Sequence, residues 1–584
     1  MSPNPITSVL LLLGVWSSLH GQALAQTQAA LAYAPVYTPC PAGTNLVRAA
    51  SQSYNGKNVQ SLGSLESAYV SKRETTVLPG AWSSYFDTVS SYARSHNLSS
   101  GIPTYLSQIL TSRDYKAHPR LGLASSGGGY RAAIFGAGVL DALDGRNATS
   151  VNAGLGGLLQ SATYLTGLSG GSWLVLSLAQ AGFPQLPDLI FGALNSSGWN
   201  AQFDIIQAGG TDAALTAQFI STLVQEIAPK LLTGFPVTFT DVWSRALARH
   251  FVSGTNGSSP STFFDTNSTH GAGVTLSSLT GLATFQNHAQ PFPIVVANAV
   301  SPNANFSNLF NESGIFVPLS NTVYEFNPGE MGSFDPTVSA FTPTRYLGSP
   351  NNSLCVTNFD QLSFVEAISS SLFNEFNTSV AALESSSIGP IIDILNGTFH
   401  QPSFVQLDSA AVPNPFFGFN SNIPGYTNLD VGERFLKLVD GGENGEIDPL
   451  QPLLVQARGV DTIFTIDAPA DNAQNFAEGF SIIATQQRSS LFSKFYSFPP
   501  VPTSVAGFAA ANLTKQPTFF GCNTPTSGSL QTPLLIYLAK WRPSTWPITA
   551  YQHGHTANDL PIRPDQRDVE PSLRYRHPGY PTNQ

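Results

Sequence analysis

The amino-acid sequence predicts an α/β fold in which a central mixed, largely parallel sheet is flanked by helices. Two apolar segments, 121–124 and 163–167, have the length of buried strands, and each leads into a glycine-rich turn. An apolar helical segment follows each turn, at 130–140 and from Ser172 onward. Strand, helix and strand in this order predict a right-handed βαβ unit with parallel strands. Both turns are then expected at the carboxyl edge of the sheet, where α/β proteins bind ligands.

The composition excludes some classes of protein. Hydrophobic residues make up 42% of the 584 residues, which is enough for a large core. Charged residues make up only 11%, less than half of the usual share of about 25%. The net charge of −10 is spread along the chain without a basic run, so nucleic acid is not expected as a partner.

The N-terminus has the pattern of a secretory signal peptide, which we assign to residues 1–25. Segment 9–15 is apolar and Ala23-Leu-Ala25 supplies a cleavage site of small residues, although no Lys or Arg precedes them. No later segment has the length and apolarity of a membrane span, and the C-terminus lacks the apolar tail of a glycolipid-anchor signal. We therefore expect a secreted, extracellular protein without a transmembrane anchor.

Glycans are expected to supply the solubility that the few charged residues do not. Asn-x-Ser/Thr sequons in a secreted chain are glycan acceptors on surface loops. They occur here at Asn97, Asn147, Asn195, Asn256, Asn267, Asn305, Asn311, Asn351, Asn377, Asn396 and Asn512. The cysteines, Cys40, Cys355 and Cys522, allow at most one intramolecular disulfide and leave an odd thiol.

After the signal peptide we distinguish a folded region at 26–540 and a tail at 541–584. Within the folded region, the part from about 185 to 430 is predicted to hold mixed strands and loops, with a cap-like insertion. For its Phe-rich segment 413–419, core packing is favoured over a lipid-facing loop. The tail contains seven prolines and nine charged residues without an apolar period, and we expect it to be disordered.

The second glycine-rich turn carries a candidate nucleophile, Ser169. Gly167-Leu-Ser-Gly-Gly171 matches the G-x-S-x-G pattern of a nucleophile elbow. Glycine lacks the Cβ that would clash where strand and helix nearly touch. A chain this rich in Gly and Ser also produces the pattern by chance, so an ordinary βα turn is the alternative.

The first glycine-rich turn, Ser125-Ser-Gly-Gly-Gly129, is a candidate anion site. Successive glycine N–H groups can point at one anion, as in an oxyanion hole or a phosphate cradle. Arg131 follows in the first turn of a helix, where a cation opposes the helix dipole. An anion shared by the dipole and the guanidinium would explain this placement. The alternative is an Arg131 paired with a nearby carboxylate.

Asp440 is the candidate general base, because it follows an apolar strand predicted at 435–439 and precedes two glycines. A further strand is predicted at 462–466. In α/β-hydrolases a histidine follows the acid, but after Asp440 histidines occur only in the tail, at His553, His555 and His577. Earlier histidines, such as His250, His288 and His400, break that order. The sequence therefore favours a dyad in which Asp440 takes the proton of Ser169 directly.

The chain resembles the fungal lysophospholipase/phospholipase B family, whose catalytic domain is similar to that of cytosolic phospholipase A2. Three motifs in the family's order carry the resemblance: Ser126-Gly-Gly-Gly-Tyr-Arg131, Gly167-Leu-Ser-Gly-Gly-Ser-Trp173 and Val439-Asp-Gly-Gly-Glu443. Further stretches share it: Thr240-Asp-Val-Trp-Ser-Arg-Ala-Leu247, Val323-Tyr-Glu-Phe-Asn-Pro328, Gly332-Ser-Phe-Asp-Pro336, Ser369-Ser-Ser-Leu-Phe-Asn374 and Pro517-Thr-Phe-Phe-Gly-Cys522. It covers about residues 35 to 540 and implies that the folded region 26–540 is a lysophospholipase catalytic domain. Because family members usually continue with an ordered, cysteine-containing C-terminus, we expect this C-terminus to be truncated or wrongly assigned.

The resemblance implies hydrolysis of the fatty-acyl esters of lysophospholipids and phospholipids at lipid interfaces. It implies that Ser169 is the nucleophile, that Asp440 is its base, that the Gly128 and Gly129 amides form the oxyanion hole and that Arg131 binds phosphate. No metal and no cofactor is expected: the acidic run 440–448 lacks the ligands of an EF-hand loop. Two alternatives stay open, a Ser-His-Asp carboxylesterase or lipase and a non-catalytic secreted lipid-binding glycoprotein.

Overall fold

The computed structural model describes residues 27–54, 57–98, 102–193, 198–252, 260–310, 315–350, 353–376, 389–399, 405–421, 423–472, 474–523 and 530–541. The predicted signal peptide at 1–25 lies outside these residues. So does the predicted tail at 541–584, apart from its first residue.

The strands of the described chain are short, between two and eight residues each. They are β1 (Val36–Pro39), β2 (Arg48–Ala49), β3 (Ser51–Tyr54), β4 (Lys57–Gln60), β5 (Leu121–Ser125), β6 (Ala162–Gly167), β7 (Phe292–Ala299), β8 (Val323–Phe326), β9 (Glu330–Ser333), β10 (Ala340–Pro343), β11 (Leu354–Thr357), β12 (Ala410–Pro413), β13 (Phe435–Asp440), β14 (Thr462–Asp467), β15 (Thr518–Phe520) and β16 (Leu534–Ala539).

The helices of the described chain vary more in length, from four to twenty residues. They are α1 (Gln28–Tyr33), α2 (Ser64–Thr76), α3 (Leu78–Ser95), α4 (Thr104–Leu110), α5 (Gly129–Ala142), α6 (Ala148–Asn152), α7 (Leu158–Ser161), α8 (Gly170–Gln180), α9 (Leu186–Phe191), α10 (Ala213–Leu232), α11 (Phe239–Phe251), α12 (Pro260–Phe263), α13 (Ala283–Gln286), α14 (Leu362–Ser369), α15 (Gly389–Phe399), α16 (Phe480–Leu491) and α17 (Val505–Ala510).

Twelve strands of the described chain form one mixed sheet, which confirms the predicted fold class. Ten of them follow the order β15-β16-β14-β5-β6-β7-β8-β9-β10-β2, while β13 pairs with β7 and β12 pairs with β13. The neighbours β16, β14, β5, β6 and β7 are parallel, and the other pairs are antiparallel. The predicted βαβ unit is β5, α5 and β6, within the parallel half.

Helices cover both faces of this sheet. On one face α5, α8, α11 and α14 pack around strand side chains that include Leu165 and Val295. On the other face α2 and α16 lie over side chains that include Tyr164 and Ile294. Successive residues of a strand point to opposite faces, so the central strands are buried on both sides. Strands β5, β6 and β7 are buried along their whole length, as expected for covered parallel strands.

The register on β7 brings the ends of two strands together. β6 runs parallel to the first half of β7 and pairs Gly167 with Val295. β13 runs antiparallel to the second half and pairs Asp440 with Ala297. Because β8 occupies the opposite edge of β7 at both positions, β6 and β13 share one edge and meet with their carboxyl ends facing. Ser169, two residues after β6, is thereby brought to the end of β13.

Several predicted elements are present with shifted ends. The helix after Ser169 begins at Gly170 and not at Ser172, because the turn is tighter than the sequence suggested. The strands predicted at 435–439 and 462–466 are β13 and β14, each one residue longer. In the Phe-rich segment, Phe416 is fully buried but Phe417 is 57% exposed. Core packing therefore describes the first of these rings and not the second.

A disulfide joins Cys40 to Cys355 beside the paired strands β1 and β11. Of the pairings that the sequence left open, this one ties the N-terminal segment to a strand 315 residues later. The remaining thiol, Cys522, is free and exposed. The N-terminal segment also contributes a strand to the main sheet, because β2 pairs with β10.

Candidate active site

Ser169 lies between the end of β6 and the start of α8 in a strained backbone conformation. Its φ of 49° and ψ of −126° fall outside the regions that residues with a Cβ ordinarily adopt, which costs about 1–3 kcal/mol. The Ser169 N–H donates to the carbonyl oxygen of Ser369 at 3.0 Å and to its hydroxyl at 3.1 Å. This is the sharp strand–turn–helix connection that G-x-S-x-G predicts.

The glycines around Ser169 are required by close packing. A Cβ on Gly170 would lie 2.1 Å from the carbonyl oxygen of Gly129, and one on Gly171 would lie 2.1 Å from that of Ser125. Real Cβ atoms do not approach so closely, so α8 could not pack against α5 and β5 with larger residues. The elbow and the first glycine-rich turn therefore form one packed unit.

Asp440 ends β13 and is 2% exposed. The Gly442 N–H donates to Asp440 Oδ1 at 2.7 Å. Asn298 Nδ2 donates to the carbonyl oxygens of Asp440 and Gly441 at 3.2 and 2.8 Å. Burial raises the pKa of the Asp440 carboxyl to about 6, and hydrogen bonds from the Gly442 N–H and the Ser169 hydroxyl partly oppose that rise. The two predicted dyad residues are therefore neighbours in the structure.

The loop before α5 passes beside Ser169. A Cβ on Gly127 would lie 3.1 Å from the Ser169 Cβ, and Gly128 and Gly129 have positive φ values of 126° and 64°. Gly128 is the N-cap and Gly129 the first residue of α5, so neither N–H has an acceptor within the helix. Two such donors beside a serine can stabilise an oxyanion that forms at that serine.

Arg131, in the first turn of α5, is a buried cation with unused donors. It is 6% exposed, and its Nε donates to the carbonyl oxygen of Ala468 at 3.3 Å. Neither Nη1 nor Nη2 has a hydrogen-bond partner among the described residues. Burial lowers the pKa of the guanidinium to about 10, whereas the charge of Asp471 raises it. The group stays charged at neutral pH.

The position of Arg131 connects it with the candidate oxyanion hole. A Cβ on Gly128 would lie 2.8 Å from Arg131 Nη2, so the guanidinium packs against that glycine. Among the described carboxylates, none forms an ion pair with Arg131, so the alternative pairing is not observed there. Asp471 acts on Arg131 through its charge without forming an ion pair. Two buried donors that have no partner in the described part of the chain are unfavourable, and they can bind an anionic group beside Ser169.

The histidines considered for a triad have other environments. His250 is fully buried, and its Nδ1 contacts the Tyr130 hydroxyl at 2.7 Å and the Asn200 carbonyl oxygen at 2.9 Å. Burial lowers the pKa of His250 to about 3, so this ring stays neutral. Burial also lowers the pKa of His288. The other candidates, His400, His553, His555 and His577, lie outside the described residues.

Comparison with known proteins decides the family. A sequence model of the lysophospholipase catalytic domain matches residues 121–553. Lysophospholipase 1 of Aspergillus fumigatus is 36% identical over 469 residues, covering 77% of this chain and 67% of the relative. Lysophospholipase 2 of Saccharomyces cerevisiae is 34% identical over 519 residues, covering 87% and 67%. The chain belongs to the lysophospholipase family.

A solved structure supports the fold of this lysophospholipase-family chain. Human GIVD cytosolic phospholipase A2 superposes with a TM-score of 0.55 at 16% identity, covering 86% of this chain and 62% of that one. The sequence comparisons confirm the family that the three motifs indicated, and this superposition supports the mixed sheet with its flanking helices. At this identity the superposition concerns the fold alone.

The described part of this family member shows neither a metal centre nor a membrane span. Within it, no group of three or more His, Cys, Asp or Glu side chains could hold a metal ion. None of its helices is long and apolar enough to cross a bilayer. Instead, the acidic run after Asp440 is used internally, since Glu446 lies 3.1 Å from the guanidinium of Arg488.

The predicted glycan acceptors differ in accessibility. Asn97, Asn267, Asn305 and Asn512 are exposed. Asn147 is half-buried, and its Nδ2, the atom that a glycan would occupy, donates to Asp141 Oδ2 at 2.7 Å. Outside the described side chains lie Asn195, Asn256, Asn311, Asn351, Asn377 and Asn396.

Two features of the site were not assigned from the sequence. Asn298 donates to the backbone carbonyl oxygens of Asp440 and Gly441. It is the one amide side chain in the otherwise apolar strand β7, and this polar interruption could have marked it as a candidate site residue. The segment Ser369–Ser371 contacts both dyad residues, but it entered the sequence analysis only as part of the family resemblance. A run of serines in the sequence does not show which distant segments it will contact in the fold.

Proposed function

We propose that this chain is a secreted lysophospholipase/phospholipase B that uses Ser169 as nucleophile and Asp440 as its general base. Its substrates are the fatty-acyl esters of lysoglycerophospholipids and glycerophospholipids. The family supports the reaction class, because the relatives are lysophospholipases by name. One observation carries the catalytic assignment: the register on β7 brings the Ser169 turn to the end of β13, beside the Asp440 carboxyl, whose burial raises its pKa to about 6.

Acylation follows from this arrangement. Asp440 takes the hydroxyl proton while Ser169 Oγ attacks the ester carbonyl carbon. The carbonyl oxygen becomes an oxyanion, which the Gly128 and Gly129 N–H groups stabilise. The carbon–oxygen bond to glycerol then breaks, and the protonated Asp440 returns its proton to the leaving glycerol oxygen. The products of this half are the glycerophospho alcohol and an acyl ester on Ser169.

Deacylation uses the same groups with water as the nucleophile. Asp440 removes a proton from water as the oxygen attacks the acyl carbon, and the oxyanion forms again at the same two N–H groups. When the bond to Ser169 Oγ breaks, Asp440 gives the proton to that oxygen. The free fatty acid leaves. Asp440 has then lost its proton again, and with a pKa of about 6 it stays ionised at neutral pH, ready for the next cycle.

Arg131 suits the phosphate of such a substrate. Its two free Nη groups provide the forked donors that bind phosphate oxygens. The dipole of α5 favours negative charge at the same place. Because the guanidinium packs against Gly128, a phosphate there would lie close to the ester carbonyl of a short glycerol backbone.

The proposal is tested by fatty-acid release from lysophosphatidylcholine by the purified protein. Ser169→Ala and Asp440→Asn should each lower kcat at least about 1,000-fold, while circular dichroism stays unchanged. Two matched controls should keep near-normal activity. Ser177→Ala changes a buried serine of the same helix α8, and Asp430→Asn changes another buried carboxyl whose pKa is raised to about 6.

Each alternative has its own outcome in the same assay. An active Asp440→Asn enzyme would refute the dyad and require another base. A folded wild-type protein that binds lysophosphatidylcholine without turnover would instead be a lipid-binding glycoprotein.

Secretion is proposed from the signal-like N-terminus, the sequons and the Cys40–Cys355 disulfide, which is typical of oxidising compartments. Protein recovered from culture medium should begin near Gln26 and lose mass on treatment with an N-glycosidase. Retention inside the cell with residues 1–25 intact would contradict secretion.

A further inference from the structure

The segment Ser369–Ser371 begins at the last residue of α14 and hydrogen-bonds the backbone at both dyad residues. The carbonyl oxygen of Ser369 accepts from the N–H groups of Ser169 at 3.0 Å and Gly441 at 3.2 Å. The carbonyl oxygen of Ser371 accepts from the Asp440 N–H at 3.0 Å. One short segment therefore holds the backbone of the nucleophile and that of the base at once.

The hydroxyl of Ser369 adds a side-chain link. It accepts from the Ser169 N–H at 3.1 Å and donates to the Val296 carbonyl oxygen at 2.7 Å. Val296 lies on β7 between Val295 and Ala297, the residues that face the ends of β6 and β13. Ser369 is fully buried, so water does not compete for these bonds.

The neighbouring serines fix the segment to the helices around it. Ser370 Oγ accepts from the indole N–H groups of Trp173 at 3.1 Å and Trp243 at 3.0 Å, and it donates to the Glu366 carbonyl oxygen at 2.7 Å. The Ser371 and Thr240 hydroxyls lie 2.9 Å apart. With α8 and α11 both attached, the segment has little freedom to move.

The hydrogen bonds to Ser369 help to hold Ser169 in its strained backbone conformation. A residue with φ of 49° and ψ of −126° keeps that conformation only where its surroundings enforce it. The Ser169 N–H is the group that must be satisfied in the turn, and both of its acceptors belong to Ser369. If the hydroxyl is lost, one of the two acceptors of this N–H is lost with it.

We propose that Ser369 is a positioning residue, which holds the Ser169 elbow in register with Asp440 through its hydroxyl. The inference rests on the proposed function, because it assigns the purpose of Ser369 to the Ser169–Asp440 pair. Ser369 has no contact with substrate in this role and acts only through Ser169 and β7.

The test compares Ser369→Ala with Ser363→Ala, in steady-state hydrolysis of lysophosphatidylcholine. Ser363 is a buried serine on the same helix whose hydroxyl bonds Ser244 at 3.0 Å, so it controls for the loss of one buried hydrogen bond. Ser369→Ala should lower kcat about 10- to 100-fold with KM changed less than about twofold. Ser369→Thr, which keeps the hydroxyl, should recover most of the rate.

The pH dependence of kcat distinguishes a positioning role of Ser369 from a purely structural one. In Ser369→Ala the acid limb of kcat should move above pH 6, because a displaced Ser169 hydroxyl no longer lowers the pKa of Asp440. A kcat and an acid limb equal to those of Ser363→Ala would overturn the proposal. If Ser369→Ala does not fold, Ser369→Cys takes its place, and wild-type kcat and pH profile in that variant would overturn it equally.

The failure of this inference differs from failure of the proposed function. If Ser169→Ala keeps its activity, the dyad itself is wrong. If Ser169→Ala is inactive while Ser369→Ala is fully active, the dyad stands and only the role of Ser369 fails.

Discussion

Ser169 and Asp440 are fixed by different physical means. Ser169 depends on backbone strain, which surrounding glycines permit and Ser369 enforces. Asp440 depends on burial, which raises the pKa of its carboxyl to about 6. A carboxylate with an ordinary pKa near 4 would be a poor acceptor for a serine proton, so burial improves the base.

The raised pKa of Asp440 predicts the pH dependence of the reaction. The base must be ionised, so kcat/KM should fall about tenfold per pH unit below pH 6 and level off above it. A pH–rate profile on lysophosphatidylcholine measures this, and the control Asp430→Asn should leave the limb in place. A limb near pH 4 would contradict the role that burial has in this account.

The unpaired Nη groups of Arg131 predict discrimination between substrates. Arg131→Ala should lower kcat/KM for lysophosphatidylcholine by about 30-fold or more, because the phosphate loses its charged partner. Monoacylglycerol, the matching ester without phosphate, should lose less than about threefold. Assays of the two esters side by side measure the ratio. Equal losses on both substrates would remove the phosphate role.

At the scale of elements, the site depends on two helices that begin at the same edge of the sheet. The N-terminus of α5 supplies Gly128, Gly129 and Arg131, and that of α8 follows Ser169. These ends touch at Gly129 and Gly170, so the proposed oxyanion donors and the proposed nucleophile cannot shift independently.

Adding a methyl group at this contact should therefore be costly. Gly170→Ala should lose at least about 1–3 kcal/mol of unfolding free energy in urea and most of its activity. Gly138→Ala is the matched control, because Gly138 lies exposed on α5 with nothing within 4 Å of its added Cβ. That change should be neutral or stabilise by up to about 1 kcal/mol. Equal stability of the two variants would contradict the packing argument.

The sequence predicted strands β5, β6, β13 and β14 but missed others, among them β7 and β16 of the parallel half of the sheet. Strands β5 and β6 were predictable because each is a short, largely apolar segment that leads into a glycine-rich turn. Asp440 is marked by the apolar strand before it. In contrast, β8, β9 and β10 have four residues each, too few for a period to emerge. The pairing of β13 with β7 joins residues about 140 positions apart, and no local pattern encodes such a contact.

At the scale of the whole molecule, the proposed active site lies where segments distant in the sequence meet. The three motifs supplied Ser169, Asp440, Arg131 and the two glycines, and the structure places Asp440 beside Ser169. The motifs did not indicate the residues that hold the backbone of the dyad in place. These are Asn298 on β7 and the segment Ser369–Ser371. Most of these hydrogen bonds are made by backbone groups, which every residue type has. The sequence therefore does not reveal them, and the structure is needed to find them.

The central claim is that Ser169 is the residue that becomes acylated. Its most direct test is covalent labelling of the purified protein by a fluorophosphonate, with the modified peptide identified by mass spectrometry. The account predicts one adduct per molecule on Ser169, none on Ser169→Ala, and slower labelling of Asp440→Asn. An adduct on another residue, or undiminished labelling of Ser169→Ala, would contradict it.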